Sequence, residues 1–145
     1  MKSLLCKQFG PIDDLVIEDG PIPVAVPGKV VINVKAASLN FPDALMVQGL
    51  YQVKPPTPFV PGAEYAGIVH AVGEGVTHLK PGDRVAAFIG YGGFTEYAVA
   101  DAMRVMPMPP SMSFEQGAAF VLTYATSYHA LKDVANLQAG ETLLV

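Results

Sequence analysis

Glycine and proline interrupt this chain so often that long helices cannot be its main building material. Fourteen Gly and thirteen Pro fall along 145 residues, and from Lys2 to about Val105 they leave a series of short apolar runs. "KVVINVKAA" (Lys29–Ala37) sets Val30, Ile32, Val34 and Ala36 on one face at a period of two. Val31, Asn33, Lys35 and Ala37 make a mixed opposite face, as in a half-buried strand. "EYAGIVHAVG" repeats the pattern, with Gly67 where a bend or close backbone approach would sit. "LKPGDRVAAF" enters its strand through a Pro81-Gly82 turn, and "GGFTEYAVA" (Gly92–Ala100) supplies another strand. Many short strands with frequent turn residues predict a small, mainly β, barrel-like domain.

Two segments depart from that rhythm. Asn40 is a good N-cap, Pro42 suits a first helical turn and Gly49 a stop, which predicts a short helix over Phe41–Gln48. Further on, Pro107, Pro109 and Pro110 end the strands, and Ser113 with Gln116 forms a capping box. The text after it is helical in pattern but apolar nearly all round, which predicts burial on several sides. Gly140 then turns the chain into the apolar "ETLLV", read as a further strand. A strand after a helix is how a parallel α/β unit starts.

Thirteen acidic residues against nine Lys and Arg give a net charge of −4, with no basic run, which argues against nucleic acid as a partner. No apolar run approaches the roughly 18 residues of a membrane span, and the start lacks the apolar core of a secretory signal. The single cysteine, Cys6, cannot form an internal disulfide; it suits a reducing, cytoplasmic setting and reads as a small buried thiol. Mean hydropathy is +0.36 with only 15% charged residues. That is apolar for a free-standing domain, so either the protein associates with itself or part of its surface belongs against something else. Cys6 and the three histidines, His70, His78 and His129, are too scattered for a zinc motif. No Gly-rich phosphate loop is present either, and "VGEGVTHLKPG" reads as a turn.

Together, "VKAASLNFPDALMVQGLY", "PFVPGAEYAGIVHAVGEGV", "LKPGDRVAAF", "YGGFTEYAVA" and "SFEQGAAFVLTYATSYHAL" resemble the N-terminal catalytic domain of the medium-chain dehydrogenase/reductases. The closer resemblance is to the zinc-free, zeta-crystallin-like NADPH:quinone oxidoreductases. It implies a GroES-like, partly open β-barrel over residues 1–130, with residues 131–145 opening a nucleotide-binding Rossmann domain whose first strand is "ETLLV". It also implies NADP as cofactor, a quinone or enone as substrate, no membrane, and a homodimer when full length. In zinc-dependent members a Cys stands in the segment that here reads "LNFPD", and a His stands at Ala63. A four-Cys lobe of those enzymes is missing here. The implied chemistry is hydride transfer to an acceptor already activated, whose oxyanion or enolate hydrogen-bond donors can stabilise.

Three residues carry over from the resemblance. Asn40 matches an Asn facing the nicotinamide, Thr126 a Thr approaching it from the helix, and Tyr51 a Tyr lining the active cleft, assigned the catalytic role. Each has a plainer reading: Asn40 as a helix cap, Tyr51 as a barrel-edge aromatic, Thr126 as bonded back to its own helix. Leu45 replaces a Tyr of several quinone reductases, which makes the cleft more apolar. Glu64 reads as a strand-end acid paired with a nearby base. The alternative to an enzyme is a non-catalytic GroES-like binding module or a pseudo-enzyme fragment.

Overall fold

The computed structural model describes all residues, Met1–Val145. Strands β1 (Lys2–Leu5) and β2 (Val16–Asp19) pair antiparallel at the start of the chain. Five more follow: β3 (Lys29–Ser38), β4 (Glu64–Val72), β5 (Arg84–Phe88), β6 (Tyr97–Asp101) and β7 (Val105–Pro107). They form one antiparallel sheet in the order β6-β3-β4-β5-β7. The chain is mainly β, as its punctuation requires, but the sheets stay open. The β1–β2 hairpin meets the larger sheet through two single bridges, Ser3 with Thr95 and Cys6 with Phe59, rather than through a ladder.

The central position of β3 explains its burial. It has β4 on one side and β6 on the other, and Val30, Val31 and Ile32 are all removed from solvent, one residue more than alternation alone would bury. A register shift between Val34 and Ala36 then alters the predicted facing. Val30 and Ile32, with Val34, pack into the main core beside Tyr65, Val69 and Val85. Ala36 instead joins a second cluster of Ala66, Ala86, Met108 and Ala118. The strand expected from Gly92 begins only at Tyr97, because Gly92, Gly93 and Phe94 donate their N–H groups to Val60, Gly62 and Pro61.

Helix α1 spans Phe41–Val47, with Gln48 as its C-cap and Gly49 at φ +70° ending it, close to the predicted limits. Helix α2 (Phe114–Ala118) starts at the predicted capping box. The Gln116 N–H donates to Ser113 Oγ at 3.2 Å, and the Ser113 N–H to Gln116 Oε1 at 2.9 Å. Gly117 and Ala118 are buried against the sheet.

Beyond α2 the structure departs from expectation. Residues 121–134 continue as helical turns, wide at Val121–Ala125 and His129–Val134, with α3 (Thr126–Tyr128) between them. They are not buried: Tyr124 is 65% exposed, Tyr128 64% and Val134 72%. An all-round apolar helix needs cover on every side, and here the sheet covers only the α2 stretch. Glu141–Val145 likewise forms no strand, because a strand exists only beside a partner and no segment lies alongside it.

Gly67 confirms the close approach read from the sequence: a Cβ there would lie 2.2 Å from the Asn33 carbonyl oxygen, inside the β3–β4 ladder. Gly67→Ala should therefore destabilise the fold by about 3 kcal/mol, the upper end of overpacking costs. Gly20→Ala, which meets nothing within 4 Å, should stay within about 0.5 kcal/mol of the parent. Urea denaturation of both variants checks the contrast.

Candidate functional site

The site forms where β3 ends, α1 begins and β4 enters the sheet. β3 finishes at Ser38, which pairs with Glu64, the first residue of β4. Two residues later Asn40 leads into α1, and Asp43 occupies the third helical position. Asp43 is 2% exposed. Its Oδ2 accepts the Asn40 N–H at 2.8 Å and its Oδ1 accepts the Ala63 N–H at 3.0 Å, with the Gly62 N–H as a further donor. One carboxylate thus caps α1 and clamps the loop that enters β4. Burial pushes the Asp43 carboxyl above its ordinary range, and the three backbone donors offset only part of that rise.

The clamped loop is held from its other side as well. Gly62 has φ +97°, and a Cβ there would lie 2.6 Å from the Phe94 ring, so both conformation and space require glycine. The neighbouring Ala63 carbonyl accepts the N–H of Ile89 at 3.0 Å.

Glu64 corrects an expectation. It is fully buried, and no base pairs with it; every ion pair of the structure lies elsewhere. Its Oε1 accepts the backbone N–H groups of Val121 and Leu122, the latter at 3.1 Å, and its Oε2 accepts the Ser38 hydroxyl at 3.2 Å. The start of a helical segment carries N–H groups without internal partners, and these take the place of a cation. The Ser38 oxygen in turn accepts from Asn40 Nδ2 at 2.8 Å.

Asn40 borders an apolar cavity of about 470 Å³ lined by Leu4, Ile12, Leu15, Phe41, Val47 and Phe94, with Asn40 and Asp43 its polar residues. The other two candidates lie apart from this cavity. Tyr51 is half-buried and packs on the cluster of Cys6, Met46, Val47 and Phe59. Thr126 is exposed at the start of α3. The bonds back to the helix come instead from Thr123 Oγ1 to the Ala119 carbonyl at 2.8 Å and from Ser127 Oγ to the Thr123 carbonyl at 2.9 Å. The structure therefore links Asn40 to the helical segment through Glu64, but does not place all three candidates around one cavity.

Cys6 is buried, as read, and burial pushes its thiol pKa up, away from nucleophilic use. The histidines occupy three separate places: His70 against the Tyr97 ring, His78 at the Ala102 carbonyl and His129 beside Asp133. No three His, Cys, Asp or Glu side chains converge on one point. Asp43 and Ser38 are the site residues that sequence reasoning missed. For Asp43 a signal existed, since Asn40 followed three residues on by an acid is a capping-box spacing. For Ser38 there was none.

Two open antiparallel sheets with a few short helices make up the fold of this chain, and a capped turn and a Pro-Gly loop meet at one polar cluster. This chain belongs to the alcohol dehydrogenase GroES-like domain family, which it matches over residues 26–110. It is 40% identical over 147 residues to the rat synaptic vesicle membrane protein VAT-1 homolog, covering all of this chain and 36% of that protein. The crystal structure of the human VAT-1 homolog-like protein superposes with a TM-score of 0.90 at 38% identity, covering 95% of this chain and 45% of the other. The quinone oxidoreductase of Thermus thermophilus, whose structures include a complex with NADPH, superposes with a TM-score of 0.82 at 37% identity. That alignment covers 97% of this chain and 43% of the other. The chain thus spans less than half the length of these relatives.

Removing the Asp43 clamp tests the site's construction. Asp43→Ala orphans the Ala63 and Asn40 N–H groups and should destabilise the chain by about 3 kcal/mol, read as a lower urea midpoint. The pH dependence has a definite sign. The folded-state pKa of Asp43 lies above the ordinary 3.8, so its contribution is full below that value and declines as pH rises through the raised one. The gap between parent and variant should therefore narrow as pH rises from about 4 towards neutrality.

Proposed function

We propose that this chain is the substrate-side domain of a zinc-independent, NADPH-dependent oxidoreductase that reduces quinones or activated alkenes. The observation that carries the reading is Asn40, whose amide is held by Ser38 at the mouth of an apolar cavity. Nδ2 has a second hydrogen beyond the one given to Ser38, suited to a carbonyl oxygen such as that of a carboxamide. The residues of this chain fit the nicotinamide end of the cofactor alone, since no Gly-rich phosphate loop occurs in the sequence. Reduced nicotinamide supplies the hydride when bound. The chain's part is to orient it through Asn40 and Thr126, to present an apolar wall to the acceptor, and to offer the Tyr51 hydroxyl to its oxygen.

Zinc independence rests on residue types. The Leu39–Asp43 segment has no Cys, position 63 is Ala, and the carboxylate of Asp43 is taken up by backbone N–H groups. An acceptor that is already electrophilic needs no Lewis acid, which favours quinones and conjugated enones. Similarity to a quinone oxidoreductase crystallised with NADPH supports both cofactor and substrate class. The same reading takes residues 131–145 as the opening of the nucleotide-binding domain. It takes the intact enzyme as a cytoplasmic homodimer, in which the exposed apolar side chains of Tyr124, Tyr128 and Leu144 find cover.

Stopped-flow oxidation of NADPH by a quinone and by an enone, with the intact enzyme, tests the roles separately. Asn40→Ala and Thr126→Ala should weaken cofactor affinity and slow hydride transfer by up to about a hundredfold. Tyr51→Phe should slow turnover by no more than about 3 kcal/mol in barrier while leaving NADPH binding intact. Parent-like rates in all three variants would sink the site. Stoichiometric zinc in the purified enzyme would sink the zinc-independent assignment.

A further inference from the structure

Glu64 is wholly buried, carries no cationic partner, and lies between Asn40 and the helical segment that holds Thr126. The direction of every hydrogen bond in this chain of groups is forced. A carboxylate only accepts, so the Ser38 hydroxyl donates to Glu64 Oε2. With its one hydrogen used, the Ser38 oxygen can only accept from its other neighbour. The Asn40 amide must then turn its NH2 group, not its carbonyl, towards Ser38, as observed at 2.8 Å. The opposite oxygen of Glu64 is committed to the Val121 and Leu122 N–H groups, so the carboxylate cannot swing away.

We infer that Glu64 is a positioning residue that fixes, through Ser38, which way round the Asn40 amide faces and ties it to the start of the helical segment carrying Thr126. The functional side of the inference rests on the reading of Asn40 as a nicotinamide contact; the structural link does not. A ligand at Asn40 meets a fixed arrangement of donor and acceptor instead of an amide free to flip. The same carboxylate holds both ends of the proposed cofactor contact to one point of the sheet.

Glu64→Gln is a nearly isosteric test with an unusual consequence. The oxygen of the introduced amide must still face the Val121 and Leu122 N–H groups, which leaves its NH2 group facing Ser38. The serine oxygen then accepts from that NH2 group, and its hydrogen loses its fixed acceptor. Ser38 no longer dictates the Asn40 amide, which can keep donating to the second lone pair of Ser38 or turn to present oxygen. NMR of the 145-residue chain reads this directly. The Asn40 side-chain NH2 protons should show Overhauser contacts to Ser38 in the parent. In Glu64→Gln these should weaken and the Asn40 side-chain resonances shift, although Glu64 and Asn40 share no hydrogen bond. Ser38→Ala should lose the Asn40 restraint while leaving Glu64 on its backbone donors, and Ser38→Thr, which keeps a hydroxyl, should preserve it. Contacts and Asn40 side-chain resonances both unchanged in Glu64→Gln, or parent-like Asn40 resonances in Ser38→Ala, overturn the relay.

In the intact enzyme, Glu64→Gln and Ser38→Ala should each cost roughly tenfold in hydride transfer. Neither should add further loss in an Asn40→Ala background, and Ser38→Thr should restore the rate. Additive losses would reduce Glu64 to a packing role and overturn the inference. An Asn40 amide released in Glu64→Gln, with an unaffected rate in Asn40→Ala, would instead leave the relay standing and overturn the nicotinamide contact.

Discussion

The ladder between β3 and β4 ends with Ser38 opposite Glu64, and the site hangs from that last rung. Antiparallel pairing fixes which residues leave the sheet together. From one side the chain runs on through Asn40 into α1, and on the other it arrives through Gly62 and Ala63. Because the register is set by apolar residues further back, Val30 and Ile32 against Val72 and Val69, a slip of one residue would invert every facing and separate Ser38 from Glu64. Gly67 guards that register at mid-strand, where only hydrogen fits against the Asn33 carbonyl. Core packing and site geometry are therefore one constraint.

Two buried carboxylates crowd the end of this ladder, and neither is neutralised by a cation. Asp43 and Glu64 are 2% and 0% exposed, and a bare ionised acid at such depth is strongly disfavoured. Each is surrounded instead by backbone N–H groups left over from a helix start or a tight loop, which are donors that need partners in any case. Both needs are met by one set of bonds. The side chains of Asn40, Asp43 and Glu64 are thus largely consumed in joining α1, the loop and the helical segment at 121–122 to the sheet.

How much of this was legible in the sequence follows from how local each feature is. The strands at Lys29, Glu64 and Arg84, α1, the capping box at Ser113 and the close approach at Gly67 depend on neighbours within a few residues and appear where expected. The strand read from Gly92, by contrast, starts only at Tyr97, and "ETLLV" forms none. Features settled across the fold were misread. Glu64 was expected to find a base, since an acid's usual long-range partner is a cation; its actual partners are the Ser38 hydroxyl and main-chain groups 57 and 58 residues away, which no side-chain pattern announces. The apolar pattern after residue 118 predicts burial, which this stretch of chain does not show. Such a pattern cannot say whether cover comes from the same stretch of chain, and here Tyr124 and Tyr128 remain exposed. Tyr51 and Thr126 entered by resemblance alone, and nothing local to either residue predicts where it sits relative to Asn40.

In the proposed reading, this cluster keeps the site in shape without metal ligands. In a metal centre, the ion holds its ligands in fixed directions. Here Asp43 draws Asn40, Gly62 and Ala63 together, and Glu64 does the same for Ser38, Val121 and Leu122. Charge-assisted bonds of this kind are directional and about twice as strong as neutral ones, so the two carboxylates hold the groups they accept from in fixed directions. The difference lies in what is left for a ligand. A metal would offer a vacant coordination position and a strong positive field; this cluster offers an oriented amide beside an apolar wall. On the proposed reading, such a surface suits a flat, already electrophilic molecule better than an inert alcohol or ketone. The substrate class proposed for the enzyme follows from that asymmetry as much as from its relatives.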